Sequence, residues 1–316
     1  MLRRNALILG GLAATALVTG CGGSDDPAPS TTANAQDIVE LAQATPDLSI
    51  LVEAVVAAGL VDTLKAAGPF TVFAPTNAAF AGLLTELGLT KAQLLADTAL
   101  LKAVLTYHVL PAKVEKAQIV PGKPITTVQG GIFKVEAPGG VLTITDGRNR
   151  LSKIVTTDIQ AKNGVVHVID KVILPADKNI VQTAQSLPQF SVLVEAVVAA
   201  NLQGTLSGAG PFTVFAPTND AFTALLAELS ITKAALLANT ALLDKVLKYH
   251  VVPGRVLKVD VPVNTPITTV QGETLSVSAG FVITDQRART SNIVLTDVLT
   301  SNGVIHAVDK VILPRP

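Results

Sequence analysis

The chain has 316 residues, with 24 Lys and Arg balanced by 24 Asp and Glu, so it offers no basic face of the kind needed to neutralise phosphates. Hydrophobic residues make up 49% and charged residues 15%, which excludes disorder over most of the length. Trp is absent and aromatics are 3%, so aliphatic packing must build the core. The single Cys excludes a disulfide framework and makes a thiolate zinc site implausible; no cofactor and no nucleic-acid partner are expected.

Arg3 and Arg4 precede an apolar run over residues 6–18, too short to span about 30 Å of hydrocarbon but suited to a signal-peptide core. The run ends in Val18-Thr19-Gly20-Cys21, which resembles a bacterial lipobox, where the Cys is acylated and becomes the new N-terminus. Lipidation would account for an odd thiol in an exported protein, since acyl chains hold a soluble body on a membrane at about 0.8 kcal/mol per buried methylene. An ordinary secretory signal with a stray Cys is the alternative. The expected layout is a signal peptide over 1–20 and a lipidated Cys21 opening a Gly, Ser, Pro and Asp-rich tether over 21–36, with the protein exported and anchored to the cell envelope by its N-terminal lipid. Removing residues 1–20 takes away Arg3 and Arg4 and leaves 22 basic against 24 acidic side chains.

After the tether the chain is written twice. Pro69-Phe-Thr-Val-Phe-Ala-Pro-Thr76-Asn77 returns at Pro211–Asn219, Tyr107-His108 at Tyr249-His250, and Thr126-Thr-Val-Gln-Gly130 at Thr268–Gly272, all at an offset of 142. Asn163-Gly-Val-Val-His167 returns at Asn302–His306 at an offset of 139. The lost residues fall around Ala137-Pro-Gly-Gly140, a hairpin-tip sequence that tolerates a change of length. The expected units run over 37–175 and 176–316.

Within each copy the period changes halfway. Residues 48–58 are densely apolar and stop at Gly59, as a buried helix would. Phe70 to Ala74 reads as an early strand that joins a later sheet. Asn77 and Asn219 read as helix caps, Thr90 with Gln93 as a capping box, and Thr98 as the cap of a helix running to Tyr107. Residues 132–136 and 141–145 alternate around the glycine turn as a hairpin, and 154–158 and 165–170 add two strands. Helices early and strands late predict an α+β fold, a helical half packed on an antiparallel β wedge in each copy.

With the TVFAPTN segment, the Tyr-His pair and the NGVxHxxD segment occurring in order and twice, both copies resemble fasciclin domains, an adhesion module. The resemblance covers nearly all of the chain beyond the tether. It implies a compact wedge of helices and strands acting in cell–cell or cell–matrix contact, with bacterial members typically secreted or surface-anchored. There is no Arg-Gly-Asp triplet, so the integrin route of some animal relatives is not implied.

Four sets of residues invite a role. Tyr107, His108, Tyr249 and His250 resemble the family's Tyr-His motif linked to adhesion, although sealing the helix–sheet junction is the plainer reading. His167 and His306 read as half-buried imidazoles bonded to backbone, and six of the nine Phe, repeated in the two copies, read as core. Arg148 and Arg150, with Arg287 and Arg289, are spaced by two on strand-like segments, so each pair would share one face. Such forks suit carboxylate or sulfate on an acidic glycan, and an ion pair with Asp146 or Asp285 is the plainer reading. No Gly-x-Ser-x-Gly elbow, His-Glu-x-x-His or phosphate loop is present. The expected function is a non-catalytic, membrane-anchored adhesion or binding protein for a cell-surface or matrix protein or an acidic glycan, with homophilic contact included. A small-ligand carrier or scaffold stands second and a hydrolase last.

Overall fold

The computed structural model describes residues 36–316; Cys21, the expected signal peptide and the tether up to residue 35 lie outside the described residues. In the first half, strands β1 (Phe70–Pro75), β2 (Val109–Leu110), β3 (Pro124–Thr126), β4 (Ile132–Glu136), β5 (Thr143–Thr145), β6 (Leu151–Ala161) and β7 (Gly164–Ile169) form one sheet in the order β2-β1-β7-β6-β5-β4-β3. The second half repeats it with β8 (Phe212–Pro217), β9 (Val251–Pro253), β10 (Ile267–Thr268), β11 (Thr274–Val277), β12 (Val282–Thr284), β13 (Thr290–Thr300) and β14 (Gly303–Val308), in the order β10-β11-β12-β13-β14-β8-β9. Pairing is antiparallel except where the early strand inserts: β1 runs parallel to β7, with Phe73 opposite His167, and β8 runs parallel to β14.

The helical half forms for local reasons. The apolar helix Ser49–Ala57 ends before Gly59, which takes a left-handed φ of +66°, as Asn201 does at +55° in the second copy. Thr90 and Gln93 complete their capping box. Three expected caps move by one residue, with Thr218 taking the place of Asn219 in the second copy. The helix Thr98–Tyr107 is capped by Asp97, whose carboxylate accepts the Leu100 N–H at 2.9 Å, because Thr98 is already inside the first turn. The helix Asn77–Leu87 is capped by Thr76, whose hydroxyl accepts the Ala79 N–H at 3.1 Å. Asn77 ties helices together instead: it accepts the Ile50 N–H at 3.0 Å and donates to the Pro46 carbonyl at 3.1 Å, as Asn219 does with Val192 and Pro188.

Each half has two cores. Leu51, Phe80, Leu83 and Leu101 pack the helices onto one face of the sheet, and Phe73, Tyr107, Phe133 and Ile144 fill the inside of the wedge, with Phe73 edge-on to Phe133 at 5.0 Å. Fully burying one such side chain stabilises by about 1.5–3 kcal/mol. The Asn-Gly step closes the fold. The Asn163 amide accepts the Ile38 N–H and donates to the Leu64 and Ala66 carbonyls, while a β-carbon on Gly164 would collide with the Phe70 carbonyl of β1. Asn302 and Gly303 repeat both roles. Among the described residues no helix is long and apolar enough to cross a membrane.

Candidate binding site

The Tyr-His pairs lie inside the domains. Tyr107 is 0% exposed and His108 1%, with the same values for Tyr249 and His250, so all four side chains are shielded from solvent in the folded chain. The Tyr107 hydroxyl donates to the Ile132 carbonyl at 2.6 Å and that of Tyr249 to Thr274 at 2.8 Å, tying the last helix to the hairpin. Burial pushes both phenols far above their usual range. His108 Nδ1 donates to the Val104 carbonyl at 2.7 Å, and Nε2 accepts the Ile173 N–H at 3.1 Å. That geometry requires the neutral ring, and burial lowers the pKa of His108 and of His250 to about 4. His167 is fully buried rather than half-buried: it donates through Nε2 to Val114 and accepts the Asp158 N–H at the bulge of β6.

The arginine pairs do not sit on strands. Residues 146–150 form the tight turn between β5 and β6, closed by the Asp146 N–H to Arg150 carbonyl bond, with Asn149 at φ +61°. The expected shared face is therefore replaced by a turn in which the buried Asp146 carboxylate gathers the N–H groups of Arg148, Arg150 and Leu174. Arg150 is consumed within its own half by Asp146 at 2.9 Å and Glu86 at 2.6 Å. Burial opposes its charge, but these two carboxylates outweigh that and hold its pKa above the usual value. Arg289 does the same with Glu228 at 2.7 Å, and Arg287 donates to the Pro314 carbonyl at 2.9 Å. Arg148 and Arg287 keep spare capacity: one Arg148 terminal nitrogen is 3.2 Å from Asp177 while its Nε is buried without a partner, and Arg287 engages only its Nε.

Arg148 borders a cleft between the two halves. The cleft has a volume of about 640 Å³ and is lined by Lys134, Arg148, Asn149, Asp177, Asp297 and Leu299 among others. Three contacts hold its walls. Lys134 of β4 reaches Asp297 of β13 at 2.8 Å, with side chains 11% and 2% exposed. Asn149 pairs with the Leu299 backbone in both directions, donating to its carbonyl at 3.0 Å and accepting its N–H at 2.7 Å, as a neighbouring strand would. Ile132 packs on the buried cluster of Leu257, Leu299 and Val304. On the rim, Lys123 and Asp260 meet at 2.7 Å, an exposed pair that adds little.

These residues are the ones that differ between the copies. Where the second half docks with Leu257 and Leu299, the first half carries Glu115 and Gln160, both at the surface. Where the first half docks with Ile132, Lys134 and Asn149, the second carries Thr274, Ser276 and Ala288. The free ends of the pair therefore lack the residues that make its internal contact. Sequence reasoning looked for what the copies share and so passed over Lys134, Asn149 and Asp297; the differences between aligned positions were the available signal.

The sequence profile of the fasciclin domain matches residues 46–175 and 188–314. Transforming growth factor-beta-induced protein ig-h3 of Sus scrofa is 32% identical over 79% of this chain and 35% of its own length, and human periostin is 28% identical over 89% and 31%. The chain thus spans about a third of the length of these relatives. Protein sll1483 of Synechocystis is 43% identical over 46% of this chain and 76% of its own. A solved FAS1 domain pair from the insect cell adhesion molecule fasciclin I aligns with 84% of this chain and 97% of its own at 19% identity, with a TM-score of 0.43.

Proposed function

We propose that this chain, which belongs to the fasciclin domain family, is a non-catalytic adhesion or binding protein of the cell envelope, whose two domains act as one body on an anionic partner such as an acidic glycan. The observation that carries the reading is the walled cleft between the halves, bordered by Arg148, whose guanidinium is held by a single exposed carboxylate, Asp177. Guanidinium forks suit carboxylate and sulfate, and a rigid pair presents one preformed surface without an ordering cost. The residue differences at the free ends of the pair favour such a partner over run-on homophilic stacking through the same contact. A small-ligand carrier is less supported: the apolar hollow beside Phe222 and Leu225 holds only about 120 Å³, below the roughly 300 Å³ of ordinary ligand pockets. Export and acylation at Cys21 complete the proposal, tethering this body to a membrane through residues 21–36.

Beads coated with the chain, mixed with one another, with bare beads and with an acidic-glycan surface at low and physiological salt, test the reading. Salt-sensitive retention on the glycan is the expected result. Clumping of the coated beads alone would shift the function to homophilic contact, and binding to none would reject a general adhesive.

A further inference from the structure

Beside the large cleft, the same junction encloses a second cavity of about 330 Å³, walled by Gln129, Gly131 and Ile132 from the first half and by Arg255, Leu299 and Thr300 from the second. We propose that this cavity is an oxyanion site, with Arg255 and Thr300 binding the carboxylate or sulfate of an acidic sugar. Only the choice of a sugar as the source of the oxyanion rests on the function proposed above; the anion chemistry stands on the cavity itself.

Arg255 makes no ion pair and no hydrogen bond among the described residues, and its Nε is buried without a partner. Of the six arginines beyond residue 20, the other five each hold a carboxylate, a carbonyl or a side-chain amide. Burial works against the charge, lowering the pKa of Arg255. Thr300, which lines the same cavity, is 4% exposed, and its hydroxyl is also unpartnered. Buried polar groups left open in this way cost stability, and both belong to residues that line one polar cavity, which marks a place for something else to fill. The volume admits a sugar ring, and a guanidinium fork beside a hydroxyl matches a carboxylate or sulfate.

The repeat shows how the vacancy arose. In the first half the position of Arg255 is Lys113, which is exposed and pairs with Glu115 at 3.0 Å. In the second half Glu115 becomes the buried Leu257, so the cation keeps its charge and loses its partner. At the facing positions Ala161 and Lys162 become Thr300 and Ser301, which brings two hydroxyls to the wall at the loss of one lysine charge. The loss of the Glu115 carboxylate and the gain of hydroxyls turn a self-satisfied surface into an open wall around an unpaired cation.

The test is calorimetric melting of the intact chain in sodium galacturonate, in sodium sulfate and in sodium chloride at matched ionic strength, alongside Arg255→Met and Thr300→Val. The parent should melt a few degrees higher in saturating galacturonate than in chloride, and should rise further in sulfate than Arg255→Met does, since sulfate stabilises any folded chain by exclusion from its surface. Arg255→Met should lose the galacturonate shift while melting no lower than the parent in chloride, because it removes an unpaired, half-buried charge from a folded protein. Thr300→Val should weaken the anion severalfold. If the methionine variant does not fold, Arg255→Lys, which restores the first half's cation without its fork, should weaken the anion about tenfold. A parent that melts alike in galacturonate and chloride, or an Arg255→Met chain that keeps the galacturonate shift, overturns the site. Polygalacturonate separates the sources: tighter binding of the polymer than of the monomer supports the glycan, whereas equal affinity per residue supports the site and contradicts the glycan reading.

Discussion

Lys134 and Asp297 are separated by 163 residues of chain and meet at 2.8 Å, almost wholly shielded from water. Asp297 has a duty shared by both copies, since its carboxylate caps the Lys258 N–H just as Asp158 caps that of Lys116. Only in the second copy does a lysine from the other half reach it. Burial opposes the Lys134 ammonium, yet Asp297 and Glu136 outweigh it and raise its pKa. A contact of this kind specifies how two bodies dock more than it stabilises them, because desolvating both charges offsets most of their attraction.

Removing one partner is a different matter. Lys134→Met leaves Asp297 buried without its cation, a loss of about 3–5 kcal/mol if the junction stays closed. Opening the junction lets water reach the carboxylate and caps that loss. Calorimetry should therefore resolve the single transition of the parent into two, one for each half; a single unshifted transition would contradict the pair's role in docking.

Asn149→Ala installs the residue that the second copy uses at φ +56°, so the turn itself tolerates it. What it removes is the two-way bond with Leu299, at about 1–3 kcal/mol. Hydrogen exchange at the Leu299 amide should accelerate while exchange within the hairpin Asp146–Arg150 stays slow.

The arginines should separate by readout. Arg150→Ala strips the buried Asp146 of its cation and should cost about 1–3 kcal/mol in denaturant melts, with little effect on glycan retention. Arg148→Ala should leave stability within about 0.5 kcal/mol and reduce retention and its salt dependence. The reverse pattern would remove Arg148 from the cleft's function.

Stability should fall in mild acid. His108 and His250 have folded pKa values near 4 against 6.5 when unfolded, so between those values the unfolded chain binds more protons. Their contribution is complete above pH 6.5 and is lost as pH falls towards 4, at about 1.4 kcal/mol per pH unit for each ring. Denaturant midpoints measured at pH 7.5 and 4.5 should differ accordingly, and a flat profile would contradict the neutral, doubly bonded rings.

Acylation at Cys21 is checked by detergent-phase partition of the chain expressed in a bacterium. The parent should enter the detergent phase and Cys21→Ser should stay aqueous; equal partition would reject the anchor.

Much of the fold was legible because its signals are local. The capping box at Thr90, the hairpin around residues 137–140 and the strand from Phe70 follow from turn chemistry and side-chain period, and the inward Phe residues follow from both. The errors share a cause. Asn77 and the arginine pairs were read by spacing alone, whereas a carboxylate two residues before Arg148 curls that segment into a turn and a neighbouring helix claims the Asn77 amide. The junction was illegible for another reason: Lys134, Arg255 and Asp297 gain meaning only when two distant surfaces meet. Their trace in the sequence is the set of positions where one copy departs from the other.

The central claim, that the two domains act as one body whose junction forms the binding surface, is tested most directly by comparing the parent with Lys134→Met on an acidic-glycan surface across a salt gradient. The account predicts that the parent is retained at low salt and released as salt rises, while the variant, with both halves folded but undocked, elutes early. Equal retention of the two would contradict it and place binding on the separate domains.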